Sequence, residues 1–273
     1  MRERFTSKSV FTSQQQFPWR LFWLLFIAAV FSVLAIIPFA IDVFGPVISA
    51  QTQSSPPPLP LLFLIAIGVV QNLLLIAVMI FVGLKLGRGF GLGAPILAAL
   101  VEGKGLVSNW RRSVLNGLIV GVAVSVVLLG LVLLLLPLLP KLPFVAAAQV
   151  AVWKRVLACF YGGVYEELLM RFFFLTLIAW IAGKVLREHS NVLTPRAFWI
   201  ANIVVAILFG LGHLPSAAML MPITPLVVSA ALTLNGIAAI PFGLLYRKYG
   251  LESAMIAHFT ADFVLYVVGV SLL

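Results

Sequence analysis

The chain has 273 residues, of which 63% are hydrophobic and only 10% are charged. A soluble domain usually carries about 25% charged and 45–50% apolar residues, so this chain cannot cover a water-facing surface. The composition excludes a soluble enzyme, a disordered tail and a disulfide scaffold, and it predicts an all-α, polytopic integral membrane protein. Basic loops that fix membrane topology explain the net charge of +10 better than nucleic acid does, and no nucleic-acid partner is expected.

Seven stretches are long and apolar enough for a helix that crosses the bilayer, which needs about 20 residues. They are Leu21–Ile41, Leu59–Leu84, Val114–Leu136, Val156–Gly183, Ala197–His213, Leu226–Tyr246 and Leu251–Leu272. The apolar stretch Phe144–Trp153 is too short to cross, and it predicts an interfacial helix or an extension of the fourth span. An eighth crossing stays open as an alternative. No separate soluble domain is visible, so residues 1–273 are predicted to form a single transmembrane domain.

Basic residues outside the spans predict the orientation of the chain. Fourteen of them lie in the N-terminal segment 1–20 and in the second, fourth and sixth loops. Only Lys141, Lys154 and Arg155 lie on the other side. The positive-inside rule therefore places the basic segment 1–20 in the cytoplasm and the C-terminus outside. This pattern fits a bacterial cytoplasmic membrane, and it would also fit other membranes into which proteins insert by similar rules.

Six ionisable side chains lie inside the predicted spans, where charge is expensive. They are Glu166, Glu167, Arg171, His213, His258 and Asp262. An ionised residue at a helix centre costs about 2.5–3.5 kcal/mol, so three in the fourth span would cost about 8–10 kcal/mol. A buried ion pair that locks helices together is one explanation, but such residues more often mark a functional site. The other acidic residues, Glu252 among them, lie in tails, loops or span ends, where a solvated position is expected.

Helical spacing sorts these residues into faces. Glu167 and Arg171 are four apart and can form a salt bridge, whereas Glu166 is rotated by about 100° and can point elsewhere. One carboxylate of the adjacent pair is therefore expected to be structural and the other reactive. His258 and Asp262 are also four apart, which is typical of a histidine that a carboxylate orients.

The depth of these groups in the bilayer supports a shared site. At 1.5 Å per residue, Glu166 and His258 both reach the middle of a core about 30 Å thick. His213 fits only if the fifth helix protrudes into the cytoplasm and continues past Pro215.

Three short motifs lie on separate spans in the order Glu166-Glu167-x-x-x-Arg171, Phe209-x-x-x-His213 and His258-x-x-x-Asp262. Together they resemble the CPBP family of CAAX prenyl endopeptidases and bacteriocin-processing (Abi) proteins, which are intramembrane proteases. The resemblance begins near Val156, so residues 156–273 are expected to form the catalytic core. The third motif of this family more often ends in asparagine. Asp262 adds a negative charge, which calls for a proton on one carboxylate or for a bound cation.

The resemblance implies an endopeptidase that adds water to a peptide bond of a membrane-embedded or lipid-anchored substrate. Glu166 would be the general base that activates the water, and His213 would position that water or stabilise the oxyanion. His258 and Asp262 would complete the site. Glu167 and Arg171 would support it, and Phe209 would shape the pocket.

Zinc is the cofactor to consider, because His213, His258 and Glu166 could bind it with one position left for water. These residues come from separate helices without the HExxH spacing, so glutamate chemistry without a metal stays open. Two other functions are alternatives: a non-proteolytic membrane scaffold or regulator of the same fold, and a proton-coupled transporter. The substrate and the oligomeric state are not fixed by the sequence.

Overall fold

The computed structural model describes residues 16–53, 60–139, 143–186 and 193–272, and within these ranges the chain is helical with no strand. Seven helices in these ranges are long and apolar enough to cross a membrane, and no eighth is found there. They are Trp19–Ala50, Leu61–Phe90, Trp110–Leu135, Val152–Val185, Pro195–Leu220, Pro225–Tyr249 and Leu251–Ser271. The prediction of an all-α integral membrane protein with seven spans is confirmed. Most of the basic segment 1–20, and Lys141, lie outside the described residues.

The described part of the chain contains eleven α-helices besides shorter 3₁₀ and π-helical segments. They are α1 Trp19–Gln53, α2 Leu61–Gly87, α3 Pro95–Val101, α4 Trp110–Leu135, α5 Pro143–Ala147, α6 Val152–Phe160, α7 Thr176–Val185, α8 Pro195–Gly212, α9 Leu214–Leu220, α10 Pro225–Tyr249 and α11 Leu251–Asp262. Two short 3₁₀ turns, Arg88–Phe90 and Gly269–Leu272, follow α2 and end the seventh span. The stretch Phe144–Trp153 forms neither a single interfacial helix nor a plain extension of the fourth span, because α5 ends five residues before α6 begins.

Three π-helical segments lie in the fourth and seventh spans, two of the three spans that carry the predicted site. Tyr161–Glu166 and Leu168–Leu175 connect α6 to α7, and Phe263–Val268 follows α11. A π-helical turn is wider than an α-helical one and is common at functional sites. Glu166 and Glu167 therefore lie at the junction of two irregular segments in the middle of the fourth span.

Local sequence explains where the fifth and sixth spans begin and where the sixth ends. Proline opens both α8 and α10, where its missing N–H would be unpaired in any case. The hydroxyls of Thr194 and Thr224 accept hydrogen bonds from backbone N–H groups of the first turns. Gly250 ends α10 with φ of +97°, a conformation that an L side chain rarely adopts.

Glycine permits a close contact between α4 and α11. A Cβ at Gly117 would lie 2.8 Å from the carbonyl oxygen of Ser253, and one at Gly121 would lie 2.5 Å from that of Ala257. Small residues four apart let two helix backbones approach in this way within a membrane. This contact fixes the seventh span, and with it the third motif, against the centre of the bundle.

Two residues that the sequence placed at span ends or in loops are buried. Glu252 accepts a hydrogen bond from the backbone N–H of Leu97 at 2.8 Å, in the first turn of α3. Arg155 donates to the carbonyl oxygen of Tyr266 at 2.9 Å. The expectation that Glu252 is solvated is therefore wrong, because its carboxylate pairs with backbone donors at the start of a neighbouring helix.

Candidate active site

A cavity of about 670 Å³ lies between the spans and joins the three motifs. Glu166, His213, His258 and Asp262 line it together with the ring of Phe209. Most of the remaining wall is apolar and includes residues of α1 and α2, from the N-terminal half of the chain. The volume falls in the range of cavities that hold small ligands or peptide side chains. Residues from the fourth, fifth and seventh spans thus meet at one cavity.

The ion pair predicted from the spacing of Glu167 and Arg171 is present behind the cavity wall. Glu167 Oε1 lies 2.9 Å from Arg171 Nη1, and both side chains are fully buried. Arg171 Nη2 also donates to the carbonyl oxygen of Ala239 at 3.3 Å. The guanidinium lies 5.2 and 5.4 Å from the ring centroids of Phe209 and Phe242, within cation–π range. This pair ties the fourth span to α8 and α10.

His258 is held by Glu167 from the neighbouring span. Its Nδ1 lies 2.7 Å from Glu167 Oε1, so the ring donates the Nδ1 proton to that carboxylate. Its Nε2 lies 3.6 Å from Glu166 Oε2 and 3.7 Å from Asp262 Oδ2. The interpretation that Asp262 orients the ring is therefore corrected. The spacing argument treats each helix alone, whereas the orienting carboxylate comes from a different helix.

His213 lies at the break between α8 and α9. Its Nδ1 is 2.7 Å from the carbonyl oxygen of Phe209, and a carbonyl can only accept, so Nδ1 carries a proton. In the neutral ring, Nε2 is then an acceptor. The fifth span continues past Pro215 as expected from the depth of His213, but as the separate short helix α9. The break leaves the ring at the cavity wall.

Gly162 makes room for the carboxylate and the imidazole of the third motif. A Cβ at this position would lie 3.0 Å from His258 Nε2 and 3.2 Å from Asp262 Cγ, and it would overlap Asp262 Oδ2. Only glycine therefore allows the fourth span to approach these two groups as closely as it does. No motif in the sequence marks this residue.

Asn72 is a second residue of the site that the motifs do not include. Its Oδ1 accepts a hydrogen bond from the hydroxyl of Tyr165 at 2.6 Å, and its side chain lines the cavity. Tyr165 precedes Glu166 in the chain and stacks on Tyr161 with ring centroids 4.9 Å apart. An amide in the middle of an otherwise apolar span is a signal that could have marked Asn72, had uncharged polar residues been considered with the charged ones.

The histidines and carboxylates at the cavity are the side chains that would have to hold a zinc ion. Among the residues that the structure describes, no group of three His, Cys, Asp or Glu side chains is arranged to hold a metal ion. Glu167 and a backbone carbonyl engage Nδ1 of His258 and of His213, so Nε2 is the remaining nitrogen of each ring, as it also is in many histidines that bind metals. The mechanism proposed below assigns a role only to the side chains of the chain itself.

Residues 148–264 match the family model of the type II CAAX prenyl endopeptidase Rce1-like proteins. This segment contains all three motifs and most of the charged residues around the cavity. No curated protein and no solved structure matches the chain. The resemblance inferred from the motifs is thus confirmed. The similarity is consistent with a CPBP family protease.

Proposed function

We propose that the protein is an intramembrane endopeptidase that hydrolyses a peptide bond in a membrane-anchored substrate. The observation that carries this proposal is the meeting of Glu166, His213, His258 and Asp262 at one largely apolar cavity. The surrounding segment is similar to CAAX prenyl endopeptidases. Apolar walls inside a membrane protein suit a prenylated or leader-type peptide better than a soluble one.

Glu166 is the proposed general base. Its side chain is 20% exposed and reaches the cavity, whereas Glu167 is fully buried and engaged by Arg171 and His258. Glu166 takes a proton from a water molecule as the water oxygen bonds to the peptide carbonyl carbon. The same carboxyl then gives that proton to the leaving nitrogen as the carbon–nitrogen bond breaks. Of the two adjacent carboxylates, Glu166 therefore reacts and Glu167 supports the structure of the site.

The two histidines are proposed to handle the water and the oxyanion. His213 donates its Nδ1 proton to a backbone carbonyl, and its Nε2 accepts a hydrogen bond from the attacking water and so positions it. His258 lies among three carboxylates, Glu167 at Nδ1 and Glu166 and Asp262 near Nε2, which favour the imidazolium form protonated at both nitrogens. In that form Nε2 is a donor for the developing oxyanion. Donors that are fixed before the reaction stabilise developing charge without a reorganisation cost.

We also propose that the basic segment 1–20 lies in the cytoplasm of a bacterial cell and that the C-terminus lies outside, as the distribution of basic loops favours. Tags at the two ends test this orientation through their accessibility to protease in intact and permeabilised cells. Residues 1–273 are proposed to act as one transmembrane domain, with 156–273 as the catalytic core and α1 and α2 as part of the cavity wall.

The test of this function is a cleavage assay in proteoliposomes with prenylated, leader-type and other membrane-anchored peptides. Wild type is compared with Glu166→Gln and His213→Ala, and mass spectrometry identifies the bond that is cut. Glu102→Gln is the matched control, because this loop carboxylate is exposed and pairs with Lys104 on the surface. We expect cleavage to be lost in both site variants and kept in the control. Undiminished cleavage by Glu166→Gln would contradict the proposal.

A further inference from the structure

The second span, which contains α2, is the least buried of the seven spans in the described chain. In its most apolar stretch of 18 residues, only 6% of the residues are buried, against 28–50% in the corresponding stretches of the six other spans. A stripe of large apolar side chains runs along the outer face of α2 at spacings of three and four residues. We call it the α2 face, and it consists of Phe63, Ile67, Val70, Leu74, Val78 and Phe81. Such spacing suits a helix that packs against another at a small left-handed angle.

Gln71 interrupts this apolar face in the middle of the membrane. It lies ten residues after Leu61, so about 15 Å along a helix that crosses a core about 30 Å thick. Its side chain is exposed, and no hydrogen bond to it is found among the described residues. The adjacent Asn72 is turned inward and bonded to Tyr165. An amide that faces hydrocarbon without a partner is costly, because lipid tails offer neither donor nor acceptor.

We propose that the α2 face joins two copies of this chain, with the two Gln71 side chains hydrogen-bonded to each other at its centre. A carboxamide carries both a donor and an acceptor, so two copies related by a two-fold axis satisfy one another. A second copy always supplies the matching amide at the same depth, which no lipid does. A groove of about 800 Å³, lined by Gln71, Leu75 and Phe173 among others, leaves space for side chains of the second copy.

This inference is independent of the proposed proteolysis, and it is tested by cross-linking in native membranes. Leu74→Cys places a thiol on the α2 face, and two differently tagged copies are expressed together before oxidation. The matched controls are Val122→Cys on α4 and Ile203→Cys on α8, which are also exposed and lie near mid-span. The native Cys159 is buried and serves as the background. We expect disulfide-linked dimers that carry both tags for Leu74→Cys and not for the controls.

The contribution of Gln71 is measured by adding Gln71→Leu to the Leu74→Cys chain. One interhelical hydrogen bond in a membrane corresponds to about a tenfold change in the dimer dissociation constant. Val78→Leu is the matched control, since it changes an apolar residue of the same face and keeps the amide. Cross-linking of Leu74→Cys no greater than that of the α4 and α8 controls would overturn the proposed contact. Equal dimerisation with and without Gln71→Leu would overturn the role of the amide pair.

Discussion

The substitution Gly162→Ala tests whether close packing between the fourth and seventh spans sets the geometry of the site. The added Cβ would lie 3.0 Å from His258 Nε2 and would overlap Asp262 Oδ2, whereas ordinary contacts begin near 3.4 Å. The Asp262 carboxylate must therefore rotate away, by about 1 Å at its oxygen, and His258 must yield by a few tenths of an ångström. Asp262 lies beside Nε2 of His258, the proposed oxyanion donor, and a misplacement of about 1 Å near the reacting atoms can cost up to about 10²-fold in rate.

The same substitution is expected to leave the bundle folded. The atoms that must move are the ends of two side chains rather than backbone, so we expect an overpacking cost of about 1–3 kcal/mol. Cleavage rates in proteoliposomes and thermal unfolding in detergent separate the two effects. Gly130→Ala is the matched control, because nothing lies within 4 Å of a Cβ at that position in α4. A folded Gly162→Ala protein with the wild-type rate would refute the reasoning.

Three further predictions concern stability and metal dependence. Arg171→Met removes the arginine that pairs with the fully buried Glu167, so the free energy of unfolding should fall by about 3–5 kcal/mol. The double variant Glu167→Gln/Arg171→Met should regain part of this loss, and an unchanged unfolding temperature for Arg171→Met would contradict the prediction. Asn72→Leu leaves the Tyr165 hydroxyl without its acceptor and should lower the free energy of unfolding by about 1–3 kcal/mol. The loss should be smaller in the double variant Asn72→Leu/Tyr165→Phe, and an equal loss in the single and double variants would argue against the hydrogen bond. Peptide cleavage should survive treatment with a zinc chelator, because no three side chains among the described residues are arranged to hold a metal ion. Loss of activity that added zinc restores would show that His213, His258 and Glu166 rearrange around a metal.

The spans and the ion pair in the fourth span could be predicted because both depend on one helix at a time. The thickness of the hydrocarbon core sets the length of every spanning helix, so composition alone identified seven. The pairing of Glu167 with Arg171 follows from the number of residues in a helical turn. The same rule failed for His258 because its orienting carboxylate, Glu167, lies on another span.

Contacts between helices account for the rest of what the sequence did not predict. Glu252 is buried because α3 packs its first turn against it, and this packing leaves no periodic signal in the chain. Asn72 reaches the site through Tyr165, which belongs to a helix more than ninety residues away in sequence. Gly162 is needed only because the third motif lies opposite it. Each of these features depends on how the helices are arranged around the cavity.

The central claim is that Glu166 is the reagent of the site and not part of its scaffold. The most direct measurement is the cleavage rate of Glu166→Gln on a peptide that wild type cuts, together with its thermal unfolding. Among the described residues, the nearest ion-pair partner of Glu166 is His258, at 3.6 Å, and Glu166 lies at the cavity. The unfolding temperature should therefore stay at the wild-type value. The cleavage rate should fall by at least about 10²–10⁴-fold. A folded Glu166→Gln protein that cleaves at the wild-type rate would contradict the account.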